Sequence, residues 1–290
     1  MMTTPQTLPA NSAPKDDRIF RTTKLLAAII TPFLVAAFYI LFLRTSETGE
    51  LFAWQISSGM TAMMLASAYL GGVWYFTQVV VSRRWHHIKI GLLPITAFAS
   101  ILGVATLLHW DKFNHANVSF VTWTVVYLIT PFLVPAVWLS NRRTDPGTPD
   151  ARDAVIPIAF RWAMGAAGVI AVVVSALLFL SPGTMVAVWP WPLTPLTARV
   201  AAAMFALQGL VGLGIGLDAR WSSARVILQS QGLSIIFILI GVVRAWGEFN
   251  PANPGTYVFI GVLLTPLIAI VACTLVMDAR RQPVSVTPAP

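Results

Sequence analysis

Long apolar stretches dominate the chain, and short polar segments separate them. The first, Leu25 to Leu43, has 19 residues without a charge, and Arg44-Thr-Ser-Glu follows it with no small-residue cleavage site. A signal peptide has a shorter core, so this stretch reads as an uncleaved first membrane-crossing helix. Seven more runs lie at roughly 52–81, 90–109, 118–139, 158–180, 197–217, 225–244 and 257–277. About 20 helical residues cross a hydrocarbon core about 30 Å thick, and every run reaches that length. Their apolarity is continuous, not alternating in ten-residue pieces, which predicts helices and excludes a barrel. The run over 52–81 is too long for one perpendicular crossing. It predicts a tilted helix, or an interfacial segment around Phe52-Ala53-Trp54 ahead of the helix.

One polar segment occurs twice. Residues 110–117 read Trp-Asp-Lys-Phe-Asn-His-Ala-Asn and residues 246–253 read Trp-Gly-Glu-Phe-Asn-Pro-Ala-Asn, a spacing of 136. The same spacing places Arg84-Trp85 over Arg220-Trp221, Lys89 over Arg225, Leu92 over Leu228, and Thr61-Ala62 over Thr197-Ala198. The pattern predicts an all-α polytopic membrane protein, eight transmembrane helices arranged as two tandem four-helix repeats. Four spans per half is an even number, so the repeats share one orientation and their axis runs along the membrane normal. The expected division is a disordered tail over 1–23, a first repeat over 24–140, a turn-rich linker over 141–156, a second repeat over 157–279 and a tail over 280–290.

Composition agrees: 57% of residues are hydrophobic and 10% charged, against about a quarter charged in soluble domains. Mean hydropathy is +0.74. The net charge of +8 does not imply nucleic acid, because the basic residues flank apolar runs instead of lining one face. With the N-terminus inside, fifteen Lys and Arg fall on the cytoplasmic side, and only Arg44, Lys112, Arg199 and Arg244 fall outside. That asymmetry predicts a plasma (inner) membrane protein with both termini cytoplasmic. The excess of Arg over Lys and the Ala/Val bias are of the kind a GC-rich bacterial genome produces. Gly209, Gly212, Gly214 and Gly216, with Ala163, Ala167 and Gly168, predict close helix packing. Pro94, Pro131, Pro135 and Pro266 predict kinks. The single cysteine, Cys273, allows no internal disulfide and offers no metal cluster.

Candidate chemistry is sparse. Every Asp and Glu lies near a run end, so no mid-membrane carboxylate is available as a proton relay, and no haem ligation between spans is expected. No phosphate loop, nucleophile elbow or zinc-protease motif occurs, so no cofactor is expected and an enzyme is the less favoured class. The pattern shared by the two turns makes Trp110, Asn114, Asn117, Trp246, Asn250 and Asn253 candidate binding residues for a headgroup or partner. The competing role is structural, with the asparagines capping the next helix or closing the turn. Gln208 is the deepest polar residue of the sixth run, and Gln229, Ser230 and Gln231 begin the seventh. His109, Asp111 and His115 have metal-capable types within seven positions, yet Ala245, Gly247 and Pro251 stand at the matching places. A metal there is not expected. The favoured function is membrane-embedded transport or lipid handling, as a facilitator or permease-like subunit without an internal proton relay. The alternatives are a structural partner of a membrane complex and an outer-face metal-dependent enzyme. Membrane lipids and a partner membrane subunit are the expected partners.

Overall fold

The computed structural model describes residues 15–150 and 153–280. Eight helices among them are long and apolar enough to cross a membrane. They are α1 (Arg21–Phe38, extended by a π-helical turn over Tyr39–Leu43), α2 (Gly59–Val81), α3 (Lys89–Leu108), α4 (Val118–Asn141), α5 (Ile158–Leu180), α6 (Pro195–Leu217), α7 (Trp221–Arg244) and α8 (Pro254–Arg280). No strand forms among the described residues, only two isolated bridges.

Several helices start where the preceding residue supplies a side-chain acceptor for orphan N–H groups, whereas α1, α3, α5 and α7 have no such cap. Ser58 accepts from the Thr61 amide at the start of α2. Thr194 and Thr197 form a reciprocal box at the start of α6, with Pro195 in the first helical position. The run over 52–81 resolves into the second of its two expected forms. Residues 52–58 are not helical, and Phe52, Ala53 and Trp54 are buried beneath the first repeated turn. The helices continue through Pro94, Pro131, Pro135 and Pro266.

Helix bounds recur at the sequence spacing. Adding 136 to Gly59–Val81 gives Pro195–Leu217, and adding it to the turn Trp110–Lys112 gives Trp246–Glu248. Burial recurs too. The most apolar windows of α1 and α5 are 17% and 17% buried, those of α2 and α6 50% and 56%, those of α3 and α7 56% and 61%, and those of α4 and α8 22% and 22%. Four helices therefore make the core, and four clothe it with apolar side chains facing outward.

The two halves of the chain are interleaved. α2 packs mainly against α7, and α3 mainly against α6, while α2 and α3 scarcely meet. One row runs α1–α2–α7–α8 and the other α5–α6–α3–α4, each drawing two helices from either half. The closest pair is α5 with α6, where a methyl group on Gly168 would lie 2.6 Å from the Gly209 carbonyl oxygen, and one on Gly209 2.8 Å from that of Gly168. Small residues permit this approach in lipid, where helices gain little from apolar burial.

At one end of the bundle, residues 15–20, read from composition as tail, are tied to the fold instead, with Asp17 in the left-handed region (φ 51°) and Arg18 in a bridge with Arg84. Asp17 donates its amide to the Thr144 carbonyl (3.0 Å) and accepts from the Trp85 amide (2.7 Å). Paired backbone groups hold this segment where composition alone predicts disorder. Residues 21–23 and 280, also expected as tail, belong to α1 and α8, and residues 1–14 and 281–290 lie outside the described residues.

Candidate functional site

A cavity of about 70 Å³ lies midway along the bundle, between α1, α2, α3, α4, α6 and α7. Its walls are largely aliphatic and aromatic, and its polar groups come from four helices. α2 contributes Tyr69 and Tyr75, α4 contributes Tyr127 and Thr130, α6 contributes Gln208, and α7 contributes Ser230, Gln231 and Ser234. Among the described residues, no Asp, Glu, Lys, Arg or His lines it.

The hydroxyl groups around the cavity are mostly committed. Tyr69 and Tyr127 bond to each other at 2.7 Å, Tyr75 donates to the Ile88 carbonyl, Ser230 donates to the Gly71 carbonyl (2.8 Å) and Ser234 to the Ser230 carbonyl (3.1 Å). The carboxamides of Gln208 and Gln231 are not. Neither has a hydrogen-bond partner among the described residues, and Gln231 is only 7% exposed. Two such groups facing one cavity are suited to water or to the polar end of an otherwise apolar molecule.

The repeated turns at the far end of the bundle spend their polar groups internally. The Asn114 amide donates to the Ala53 carbonyl (2.9 Å), and the Asn250 amide to the Pro190 carbonyl (3.0 Å). Asn117 accepts from the Ser119 amide (2.9 Å) while its side-chain nitrogen reaches the Glu50 and Phe52 carbonyls (2.5 and 3.3 Å). Asn253 repeats this with Gly255 (2.8 Å) and the Val188 and Trp189 carbonyls (3.2 and 3.4 Å). Capping thus falls to the second asparagine of each turn, whereas Asn114 and Asn250 pin the turn through their backbone amides, and the Asn250 side chain also accepts from the Ala252 amide (3.0 Å). Trp110 stacks near His115 and Phe120, and Trp246 on Phe249, both tryptophans half exposed.

The trio of metal-capable residues at the first repeated turn is dispersed. His109 Nε2 accepts from Arg199 (2.6 Å), His115 Nε2 donates to the Trp110 carbonyl (2.9 Å), and Asp111 pairs with Lys112 (2.8 Å). Burial, then the Arg199 charge, holds the His109 imidazole below its ordinary value. Lys112 and Glu248 do not pair across the turns. Glu248 instead reaches Ser58 Oγ (2.6 Å) and the amides of Gly59 (2.8 Å) and Met60 (3.2 Å), closing the start of α2 from the other half of the chain.

The opposite, Arg-rich end carries a hydrogen-bonded relay that sequence reasoning passed over. Asp17 Oδ2 lies 2.5 Å from His86 Nδ1, His86 Nε2 lies 3.0 Å from Ser222 Oγ, and Ser222 Oγ donates to Asp153 Oδ2 at 2.5 Å. His86 and Ser222 are 136 residues apart, as are Asp17 and Asp153. The order Asp–His–Ser resembles a hydrolase triad, but the hydroxyl proton is committed to Asp153 and Ser222 is only 3% exposed. A nucleophile needs its proton aimed at the base and room for an acyl group, so this relay fastens structure. Next to it, Arg220 bonds Asp145 (2.9 Å) and Asp218 (2.8 Å), and Lys89 reaches both carboxylates at 2.8 Å. Burial pushes both carboxyls up, but the bonds from Arg220 and Lys89 outweigh it and hold each well below the usual carboxylate range.

No protein-family model, curated protein or solved structure matches this chain.

Proposed function

We propose that the chain is a membrane-embedded facilitator or permease-like subunit for a small, largely apolar molecule with one hydrogen-bonding group. The observation that carries this reading is the mid-bundle cavity with the unpaired carboxamides of Gln208 and Gln231. With no ionisable Asp, Glu, Lys, Arg or His lining it, the cavity suits passage or holding without an internal proton relay. We further propose two tandem four-helix repeats of parallel orientation, with both termini cytoplasmic in the plasma membrane. Support comes from the helix bounds and burial that recur at a spacing of 136 and from the basic residues gathered at one end.

The test is gentle purification into lipid nanodiscs, followed by mass spectrometry of bound small molecules. Wild type is expected to retain a molecule that Gln231→Leu and Gln208→Leu release without a loss of thermal stability. Equal retention by wild type and both variants refutes the assignment, and a stoichiometric co-purifying protein with no small molecule favours an assembly role. Reporter fusions at Glu47, Asp111, Pro182 and Asn250 are expected outside, and fusions at His87, Thr148 and Ser223 inside. A reproducible reversal at any of them overturns the orientation.

A further inference from the structure

The two histidines at the Arg-rich end sit beside a carboxylate from a distant part of the chain. Trp85-His86-His87 forms a single 3-10 turn between α2 and α3, which points consecutive side chains to different sides of the turn. The connection between the halves brings Asp150 to them. Asp150 Oδ2 lies 3.4 Å from His87 Nε2 and 3.7 Å from His86 Nε2, and one ligand atom from each of the three residues falls within 4.8 Å of the others. Two ligands each about 2.0–2.1 Å from a tetrahedral zinc ion are about 3.3–3.4 Å apart. The two carboxylate–histidine spacings are within a few tenths of an ångström of this, and the two imidazoles, whose ligand atoms lie within 4.8 Å, close by at most about 1.4 Å on binding.

Three further observations point the same way. His86 Nδ1 is held by Asp17 Oδ2 at 2.5 Å, and the His86 backbone amide donates to Asp17 Oδ1 at 3.1 Å. A carboxylate on the far nitrogen is the arrangement that orients a metal-bound imidazole and raises its basicity. Arg84 engages only Oδ1 of Asp150, so Oδ2 remains turned towards the histidines. The charges in contact with the histidines favour a cation: Asp17 and Asp150 stand against Arg84.

We propose that His86, His87 and Asp150 form a divalent transition-metal site of the zinc class at the Arg-rich end of the bundle. Imidazole and carboxylate together suit zinc, copper and nickel over magnesium or calcium. Ligation through His86 Nε2 replaces its contact with Ser222 Oγ, whose proton already goes to Asp153. Three protein ligands leave a fourth position for water. The ion fastens the connection between the halves, through Asp150, to the loop that precedes α3.

The full-length protein, stripped with a chelator, is titrated with Co²⁺ and then Zn²⁺. One equivalent per chain is expected, with the visible bands of tetrahedral cobalt bleached by zinc. His87→Gln and Asp150→Asn, both on partly exposed side chains, are expected to weaken binding at least tenfold, and His115→Gln to leave it unchanged. Zinc is expected to raise the melting temperature of wild type and of His115→Gln only. Should the variants fold poorly, wild type is labelled with diethylpyrocarbonate: zinc is expected to protect His87 and not His115. Absence of saturable one-to-one binding, affinity unchanged in both variants, or labelling of His87 unaffected by zinc overturns the proposal.

Discussion

Replacing Glu248 tests whether the halves are fastened at the far end by a side chain from one capping a helix of the other. Its carboxylate takes three donors at the start of α2: the Ser58 hydroxyl at 2.6 Å and the amides of Gly59 and Met60 at 2.8 and 3.2 Å. Bonds to an ionised acceptor contribute about 1.5–3 kcal/mol where a neutral pair contributes about 1. The helix dipole adds about 0.3–1 kcal/mol for a negative charge at an N-terminus. Ser58 Oγ still accepts from the Thr61 amide, so removing Glu248 orphans the Gly59 and Met60 amides and frees the Ser58 hydroxyl proton, which can rotate to another acceptor or to water. Partial access of water to the helix end offsets part of the loss, and Glu248→Ala is expected to cost about 2–3 kcal/mol. Glu248→Gln keeps the shape and one acceptor, and is expected to cost about 1 kcal/mol. Lys112 is the built-in control, because it occupies the matching place in the other half but is exposed and pairs only with Asp111. Lys112→Ala is therefore expected within about 0.5 kcal/mol of wild type. The assay is equilibrium unfolding in mixed micelles, followed by tryptophan fluorescence. If Glu248→Ala falls within the error of Lys112→Ala, the cap contributes nothing and the reasoning fails.

Asn117→Ala and Asn253→Ala are each expected to lose about 1 kcal/mol of unfolding free energy and to behave alike. Asn114→Ala should lose less, because its backbone amide makes the bond. Arg220→Met leaves the half-buried carboxylates of Asp145 and Asp218 short of their main partner and is expected to cost about 3–5 kcal/mol at pH 7. Both carboxyls have lowered folded values, so their stabilisation is present above the usual carboxylate range and is lost as pH falls below it. The gap between wild type and variant, measured by unfolding across pH, should therefore narrow in acid; a gap that widens refutes the network. Gly168→Ala gains helix propensity of about 1 kcal/mol, but its methyl meets the Gly209 carbonyl at 2.6 Å. Net destabilisation of about 1–3 kcal/mol is expected from the same assay, and net stabilisation would mean that the α5–α6 contact is looser than drawn.

The eight spans were legible because a crossing helix leaves a one-dimensional trace: about 20 apolar residues in a row. The glycines of α5 and α6 were legible for a similar reason, since small residues at helical spacing announce close approach. Which helices form the core was not. α1 and α2 are both continuously apolar, and lipid-facing and protein-facing surfaces differ little in composition when the solvent is itself apolar. In the repeated turns the asparagines were found as a set, but the capping residue is Asn117, three positions beyond Asn114. Only the place where the chain re-enters the helix decides between them. Gln208 was legible by depth, and Gln231 by position in its run, while the cavity they share needs the packing of six helices. The relay at the other end left an unused signal. Arg84-Trp85 over Arg220-Trp221 extends by one residue to His86 over Ser222, and the same spacing carries Asp17 onto Asp153.

Interleaving has a consequence for how the protein is made. When α2 and α3 leave the ribosome, their main partners, α7 and α6, have not been synthesised. At about 5–20 residues per second the interval is on the order of ten seconds, long compared with lateral diffusion in a bilayer. Throughout it, the faces later covered by the second half rest against lipid or an insertion chaperone. The nascent first half therefore waits with those faces uncovered, and codon changes that slow translation of residues 181–244 are expected to lower yield while leaving the finished protein's stability unaltered.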